Sequence, residues 1–218
     1  MHQHAIDPQT RQTLSLLNNT ELIKTYYLAG GTACALHLGH RLSHDLDFFA
    51  LNPATPEQIR DQLLTLGDLE IYYNQPGTFN GVLNLTKISF FVYPYQLLSQ
   101  TKLFENTSVA SIEDLICMKL EAIASRGSKR DFVDLYFLLQ NLGLDQAINY
   151  YQKKYAKQNT SVEHLLKSLV YFNDAIIEPE LNMLVEYQWS EVEKFFQQLT
   201  KQYSTLVTNR GNLSSLLG

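Results

Sequence analysis

Two short stretches carry groups that could do chemistry at useful spacings, Leu28-Ala-Gly-Gly-Thr-Ala33 and His44-Asp-Leu-Asp-Phe-Phe49. The first reads as strand, glycine turn and helix. Glycines at such a turn let the backbone approach a ligand closely, and the N–H groups at a helix start suit a phosphate. The Thr32 hydroxyl could add one hydrogen bond to those of Gly30 and Gly31. In the second stretch Asp45 and Asp47 flank Leu46, and residues i and i+2 of a strand share a face. Two adjacent carboxylates raise each other's pKa unless a cation lies between them. Mg²⁺ prefers oxygen ligands, commonly takes one or two carboxylates, and leaves its other positions to water and substrate phosphates. Asp45 and Asp47 therefore read as a metal-binding pair a dozen residues after a phosphate-type turn. His37, His40 and His44 are the other metal-capable groups nearby. Their spacing matches no zinc pattern, so surface or partly packed histidines are expected there.

The elements that must position these groups change character along the chain. Segments Lys24–Ala29, Asp45–Ala50, Leu69–Tyr73, Thr78–Leu85 and Lys87–Tyr93 are rich in aromatic and branched residues and bounded by Gly, Pro or Asn, which predicts strands. Helices are expected from Gly31 to about Gly39 and from Pro56, where Ile59, Leu63 and Leu66 share a face. From Ser111 the pattern is helical to the end. Ser111-Ile-Glu-Asp114 and Ser128-Lys-Arg-Asp131 resemble capping boxes, and Ser190-Glu-Val-Glu193 has the standard form. Trp189 is expected just before that last helix. The predicted fold class is α+β, with a mixed β-sheet in an N-terminal domain (residues 1–108) and a helical domain over 109–218.

Composition excludes several classes. The 218 residues carry 17 Lys and Arg against 22 Asp and Glu, a net charge of −5, so overall charge does not drive nucleic-acid binding. No apolar run is long enough to span a membrane, and no signal-type stretch opens the sequence. The two cysteines, Cys34 and Cys117, are far apart and read as buried reduced thiols of a cytoplasmic protein.

Leu28–Phe49, LAGGTACALHLGHRLSHDLDFF, resembles the first motif of the AbiEii/AbiGii-type toxin nucleotidyltransferases, a branch of the DNA polymerase beta-type superfamily. A second block, Glu113–Lys119 through Arg126–Tyr136, is similar to that family's helical motifs in order and spacing. The resemblance implies a nucleotidyltransferase-like fold and an NTP whose phosphates sit at Gly30, Gly31 and Thr32. It also implies Mg²⁺ on Asp45 and Asp47, the catalytic pair. Lys119 matches the family's lysine, which points to triphosphate binding, and Arg126, Lys129 and Arg130 would hold the triphosphate or an acceptor's backbone. Asp131 and Asp134 would orient those basic groups. The implied reaction transfers a nucleotide to an RNA such as tRNA, or to a protein, with a cognate antitoxin as partner. One departure stands out. The superfamily commonly carries a third carboxylate on a later strand, and Ser89 occupies that place, where it can be neither anionic ligand nor base near neutral pH. Asp68 and Glu70 are the neighbouring carboxylates that could substitute. The alternative reading is a catalytically inactive member that binds a nucleotide or a protein partner.

Overall fold

Alternation along Leu46–Ala50 shows how the sheet is anchored. Leu46, Phe48 and Ala50 are buried while Asp47 and Phe49 are half-buried, the period-two pattern of a strand with one face in the core. The computed structural model describes residues 1–158 and 161–216. The chain divides into two units, Met1–Leu115 with Leu181–Val185, and Ile116–Glu180 with Glu186–Gly218.

In the first unit the elements run α1 (Pro8–Leu17), β1 (Tyr27–Ala29), α2 (Gly30–Leu38), β2 (Leu46–Ala50), α3 (Pro56–Leu64), β3 (Leu69–Gln75), β4 (Thr78–Leu83), β5 (Thr86–Val92), β6 (Lys102–Phe104) and β7 (Thr107–Val109). The strands form a seven-stranded mixed sheet in the order β3-β4-β5-β2-β1-β7-β6. β2 pairs antiparallel with β1 and parallel with β5, so it lies between the strand that leads into α2 and the strand that carries Ser89. Phe90 fills the core beneath it, stacked on Phe48 at 5.1 Å and meeting Tyr26 and Phe79 edge-on. α1 is capped by Asp7, whose carboxylate accepts from the Gln9 and Thr10 amides, with Pro8 in the first turn. Its Thr13 hydroxyl meets that of Thr86 on β5 at 2.8 Å. α3 opens with a Thr55–Gln58 capping box and buries Ile59 and Leu63.

Several boundaries differ from the sequence expectation. β2 starts at Leu46, leaving Asp45 in the segment before it, and the stretch from Lys24 begins as a 3₁₀ turn at Leu22–Thr25. α1 and the β6–β7 hairpin have no counterpart in the predicted elements.

The second unit contains α4 (Ile112–Ser125) from Ile116 on, then α5 (Lys129–Leu138), α6 (Leu144–Lys154), α7 (Val162–Ser168), α8 (Asn173–Ile176) and α9 (Trp189–Leu216). Phe132 of α5 is fully buried against Phe172, Trp189 and Phe196, which ties α5 to α9. Trp189 is the first residue of α9 and lies inside the helix; its indole N–H donates to Glu193 at 2.8 Å. The helical run is broken between α8 and α9, where Leu181–Val185 returns to the first unit. There Leu42 donates to the Asn182 carbonyl at 2.8 Å, and Leu184 to that of His40 at 2.9 Å. The Ser111 capping pair forms, with the Asp114 amide bonded to the Ser111 hydroxyl at 3.1 Å. That of Ser128 does not, because its hydroxyl donates to Asp131 at 2.7 Å and caps no amide.

Removing the ring at the centre of the first core tests this account. Phe90→Ala should destabilise the protein by about 3–5 kcal/mol, read as a lower midpoint in urea unfolding; a change within 1 kcal/mol would place the core elsewhere.

Candidate active site

The first-unit site is built where β1 turns into α2. Gly30 adopts φ +65°, in the left-handed region that side-chain-bearing residues avoid. A second constraint acts on the same residue, since a Cβ at Gly30 would lie 2.6 Å from Asp47 Oδ2. The turn is therefore held against the carboxylate by the antiparallel pairing of Ala29 with Asp47. Residues 30–32 form the first turn of α2, whose amides have no intrahelical acceptor, and its N-cap is Ala29, which has no capping side chain. Backbone donors and a carboxylate thus lie side by side, an arrangement that accommodates a metal-bound phosphate.

Asp45 and Asp47 are both half-buried and flank buried Leu46. Their donors are all oxygen, the set that suits Mg²⁺, and the space kept open at Gly30 lies directly on Asp47. The pair fits that ion on the condition that water and phosphate complete the shell. Among the described residues no three His, Cys, Asp or Glu side chains are grouped to hold a metal. Ser89 is the residue paired with Asp47 across β2 and β5, and Asn80 pairs with Ser89 on the far side. The row beside Asp47 is thus neutral. Glu70 cannot substitute, because β3 lies three strands from β2, roughly 14 Å at the usual strand spacing. The Asp68 amide, just before that strand, is bonded to the Asn84 side chain at 2.9 Å.

Thr32 requires a correction. It is almost fully buried, and its hydroxyl is engaged with Ser43 Oγ at 2.8 Å and with the Asp45 carbonyl. The side chain fastens the segment before β2 to α2, so only its backbone amide is placed for a phosphate.

Sequence reasoning missed Arg41. Its guanidinium lies against the turn, with Nη2 2.6 Å from where a Cβ of Gly31 would be, and the residue is 6% exposed. No sequence signal places it there, because its reach depends on Gly39, at φ +66°, which ends α2 and sends the chain back along it.

In the second unit Lys119 is buried and pairs with Asp131 at 2.8 Å and Asp134 at 2.6 Å. Arg126, largely exposed, forks onto both Asp131 oxygens at 2.8 and 3.2 Å. Burial alone would push the Asp131 carboxyl up, but the Lys119 charge and the Arg126 hydrogen bonds hold it well below the usual carboxylate range. Lys129 is buried and committed to the Glu178 carbonyl at 2.8 Å and to Glu180 at 2.9 Å, so it leaves the basic cluster expected around Lys119. Arg130 is exposed on α5.

The histidines are dispersed. His37 bonds to the Ala110 carbonyl at 2.8 Å, and burial lowers its pKa. His44 meets Asp7 at 3.0 Å.

The Asp131 shift sets a pH dependence. Its native carboxyl binds fewer protons than the unfolded one, so stability rises with pH. The contribution is complete above the unfolded value near 3.9 and is lost as pH falls toward the lower native value. Urea unfolding followed from pH 7 to pH 2 should show a steep loss below about pH 4. Asp131→Asn should be destabilised at neutral pH and lose much of that slope; an unchanged slope would assign the acid sensitivity to other carboxylates.

Comparison with known proteins extends this geometry. A family model described as nucleotidyl transferase AbiEii toxin, type IV toxin–antitoxin system, matches residues 83–207, more than half of the chain. The match includes Ser89 and the Lys119–Asp134 block and begins after Asp47. An uncharacterized protein of Aquifex aeolicus is 37% identical over 201 residues, covering 89% of this chain and 96% of its own. Among solved structures, MenT4, a nucleotidyltransferase toxin of Mycobacterium tuberculosis, aligns over 85% of this chain and 78% of its own, with TM-score 0.55 and 15% identity. A candidate nucleotidyltransferase of Helicobacter pylori aligns over 92% and 98%, with TM-score 0.52 and 19% identity. At these identities the two structures speak for a shared fold.

Proposed function

The chain belongs to the AbiEii nucleotidyltransferase toxin family, and from that premise we propose that it transfers a nucleotide from an NTP to an RNA such as a tRNA, or to a protein. The observation that carries this reading is the close approach of Gly30 to Asp47, which sets backbone phosphate donors beside a carboxylate. Asp45 and Asp47 would hold Mg²⁺, which when bound offsets the charge that develops on the phosphates. The amides of Gly30, Gly31 and Thr32 would orient the phosphate chain. The acceptor oxygen then bonds to the α-phosphorus as the bond to the bridging oxygen breaks. Pyrophosphate leaves with that electron pair, and the acceptor's proton passes to solvent. Lys119, Arg126 and Arg130 keep the roles that the family resemblance implies, in triphosphate or acceptor binding, with Asp131 and Asp134 orienting Lys119 and Arg126. A cognate antitoxin would accompany a toxin of this type. No helix among the described residues is long and apolar enough to cross a membrane.

Ser89 and Asn80, the neutral residues beside Asp47, favour a second reading, a member that binds a nucleotide or a protein partner without chemistry. Incubation with Mg²⁺, each labelled NTP and total RNA or protein separates the two. Label should pass to a macromolecule, and Asp47→Asn should reduce transfer at least about 100-fold, as expected when transition-state electrostatics are lost. Calorimetry should show Mg²⁺-dependent NTP binding that weakens in Asp45→Ala and Asp47→Ala. Binding without transfer selects the inactive reading; no binding of any NTP refutes transfer and nucleotide binding alike and leaves only the protein-partner form of the second reading.

A further inference from the structure

We infer that Arg41 is a binding residue for the triphosphate tail, the β- and γ-phosphates that leave as pyrophosphate. The inference rests on the nucleotidyltransferase reading and adds to it a cation that neither motif assigns. Gly30 and Gly31 have adjacent Cα atoms, about 3.8 Å apart as in any trans peptide. A Cβ on the first would strike Asp47 Oδ2 and a Cβ on the second would strike Arg41 Nη2, each at 2.6 Å. The double glycine thus admits a carboxylate at one residue and a guanidinium at the next. A metal-bound phosphate chain needs these two charges, an anion to hold the metal and a cation for the far phosphates.

Two further observations support the assignment. Arg41 is buried and enters a β-bridge with Met183, and its Nη1 donates to the Leu42 carbonyl at 3.1 Å, which fixes the side chain beside the turn. Ser43 Oγ lies 3.4 Å from the same Gly31 Cβ position and is itself bonded to Thr32, so guanidinium, hydroxyl and helix start converge on one point. A planar guanidinium presents parallel N–H donors that match two phosphate oxygens, which a lysine cannot do.

The test uses the whole chain and compares ligands with and without the tail. With Mg²⁺ present, NTP, inorganic pyrophosphate and the corresponding nucleoside monophosphate are titrated into the native protein, Arg41→Lys and Arg41→Gln. Thermal unfolding is recorded for each. Arg41→Gln should weaken NTP and pyrophosphate by about 10- to 100-fold, the usual range for a lost charge-assisted hydrogen bond, and leave the monophosphate within about twofold. Arg41→Lys should fall between, and it carries the test if the glutamine variant unfolds. Equal affinities for pyrophosphate across the three proteins would overturn the assignment. So would equal weakening of NTP and monophosphate, which would mark Arg41 as a structural support of the turn. If the native protein binds no NTP, the nucleotidyltransferase reading fails and this assignment fails with it. Native binding with unaffected variants refutes Arg41 alone.

Discussion

The first unit is organised around the distance between the Gly30 backbone and the Asp47 carboxylate. Two independent demands meet at that glycine, a left-handed φ and the absence of room for a Cβ. The second arises because β2 runs beside β1 in one register, with Asp47 opposite Ala29. That register is enforced from the opposite face of the sheet, where Leu46, Phe48 and Ala50 are buried and Phe48 stacks on Phe90. Shifting β2 by one residue would turn Asp47 inward and expel Phe48, because strand side chains alternate with period two. The hydrophobic core therefore sets the position of the carboxylate, and the glycine turn meets it there.

The second unit is organised around charge. Lys119, Asp131 and Asp134 lie almost wholly out of water, and burying any of them alone would be costly. Together with Arg126 they balance, two cations against two carboxylates, and the Ser128 hydroxyl satisfies a further lone pair of Asp131. Such a network adds little net stability over an apolar equivalent, yet breaking it by removing one member leaves a buried charge uncompensated. It fixes α4 to the start of α5, while the aromatic cluster at Phe132 fixes α5 to α9. A substitution at Lys119 consequently alters folding and any ligand contact together, so a loss of activity there speaks to function only beside a measure of stability.

Much of this was legible in the sequence, and the remainder was hidden for identifiable reasons. Strands with strong aromatic alternation, such as β2 and β5, were visible because their burial pattern repeats every two residues. The β6 and β7 strands were not, since three residues each, Lys102–Phe104 and Thr107–Val109, are too few to show a period. α1 was obscured by a polar sequence that buries Thr10 and Thr13 beside Leu14 and Leu17, although Asp7-Pro8 is a recognisable helix start. At the site, Asp45, expected on the same strand as Asp47, lies before β2, whereas the nearness of Gly30 and Asp47 could be read from type and spacing. The engagement of the Thr32 hydroxyl and the reach of Arg41 could not, because both depend on the chain reversing at Gly39 and returning along α2. Lys129 shows the converse error, in which nearness in sequence suggested a shared basic patch while Glu178 and Glu180, some fifty residues on, claimed the side chain.

The neutral row beside Asp47 bears on the reaction in two opposed ways. Without a carboxylate at Ser89 the acceptor hydroxyl has no ready proton acceptor in that register, and general-base assistance is commonly worth 10²- to 10⁴-fold. The same absence removes one negative charge from the place where a triphosphate and its metal would gather, so fewer cations are needed to assemble the complex. In phosphoryl and nucleotidyl transfer most of the barrier is lowered by positioning and by charge stabilisation. Those are the contributions that the proposed reading gives to the Gly30 turn, the helix start and the aspartate pair. On the proposed reading, loss of the base would lower the rate and leave these contributions in place, so Ser89 by itself does not select the inactive reading.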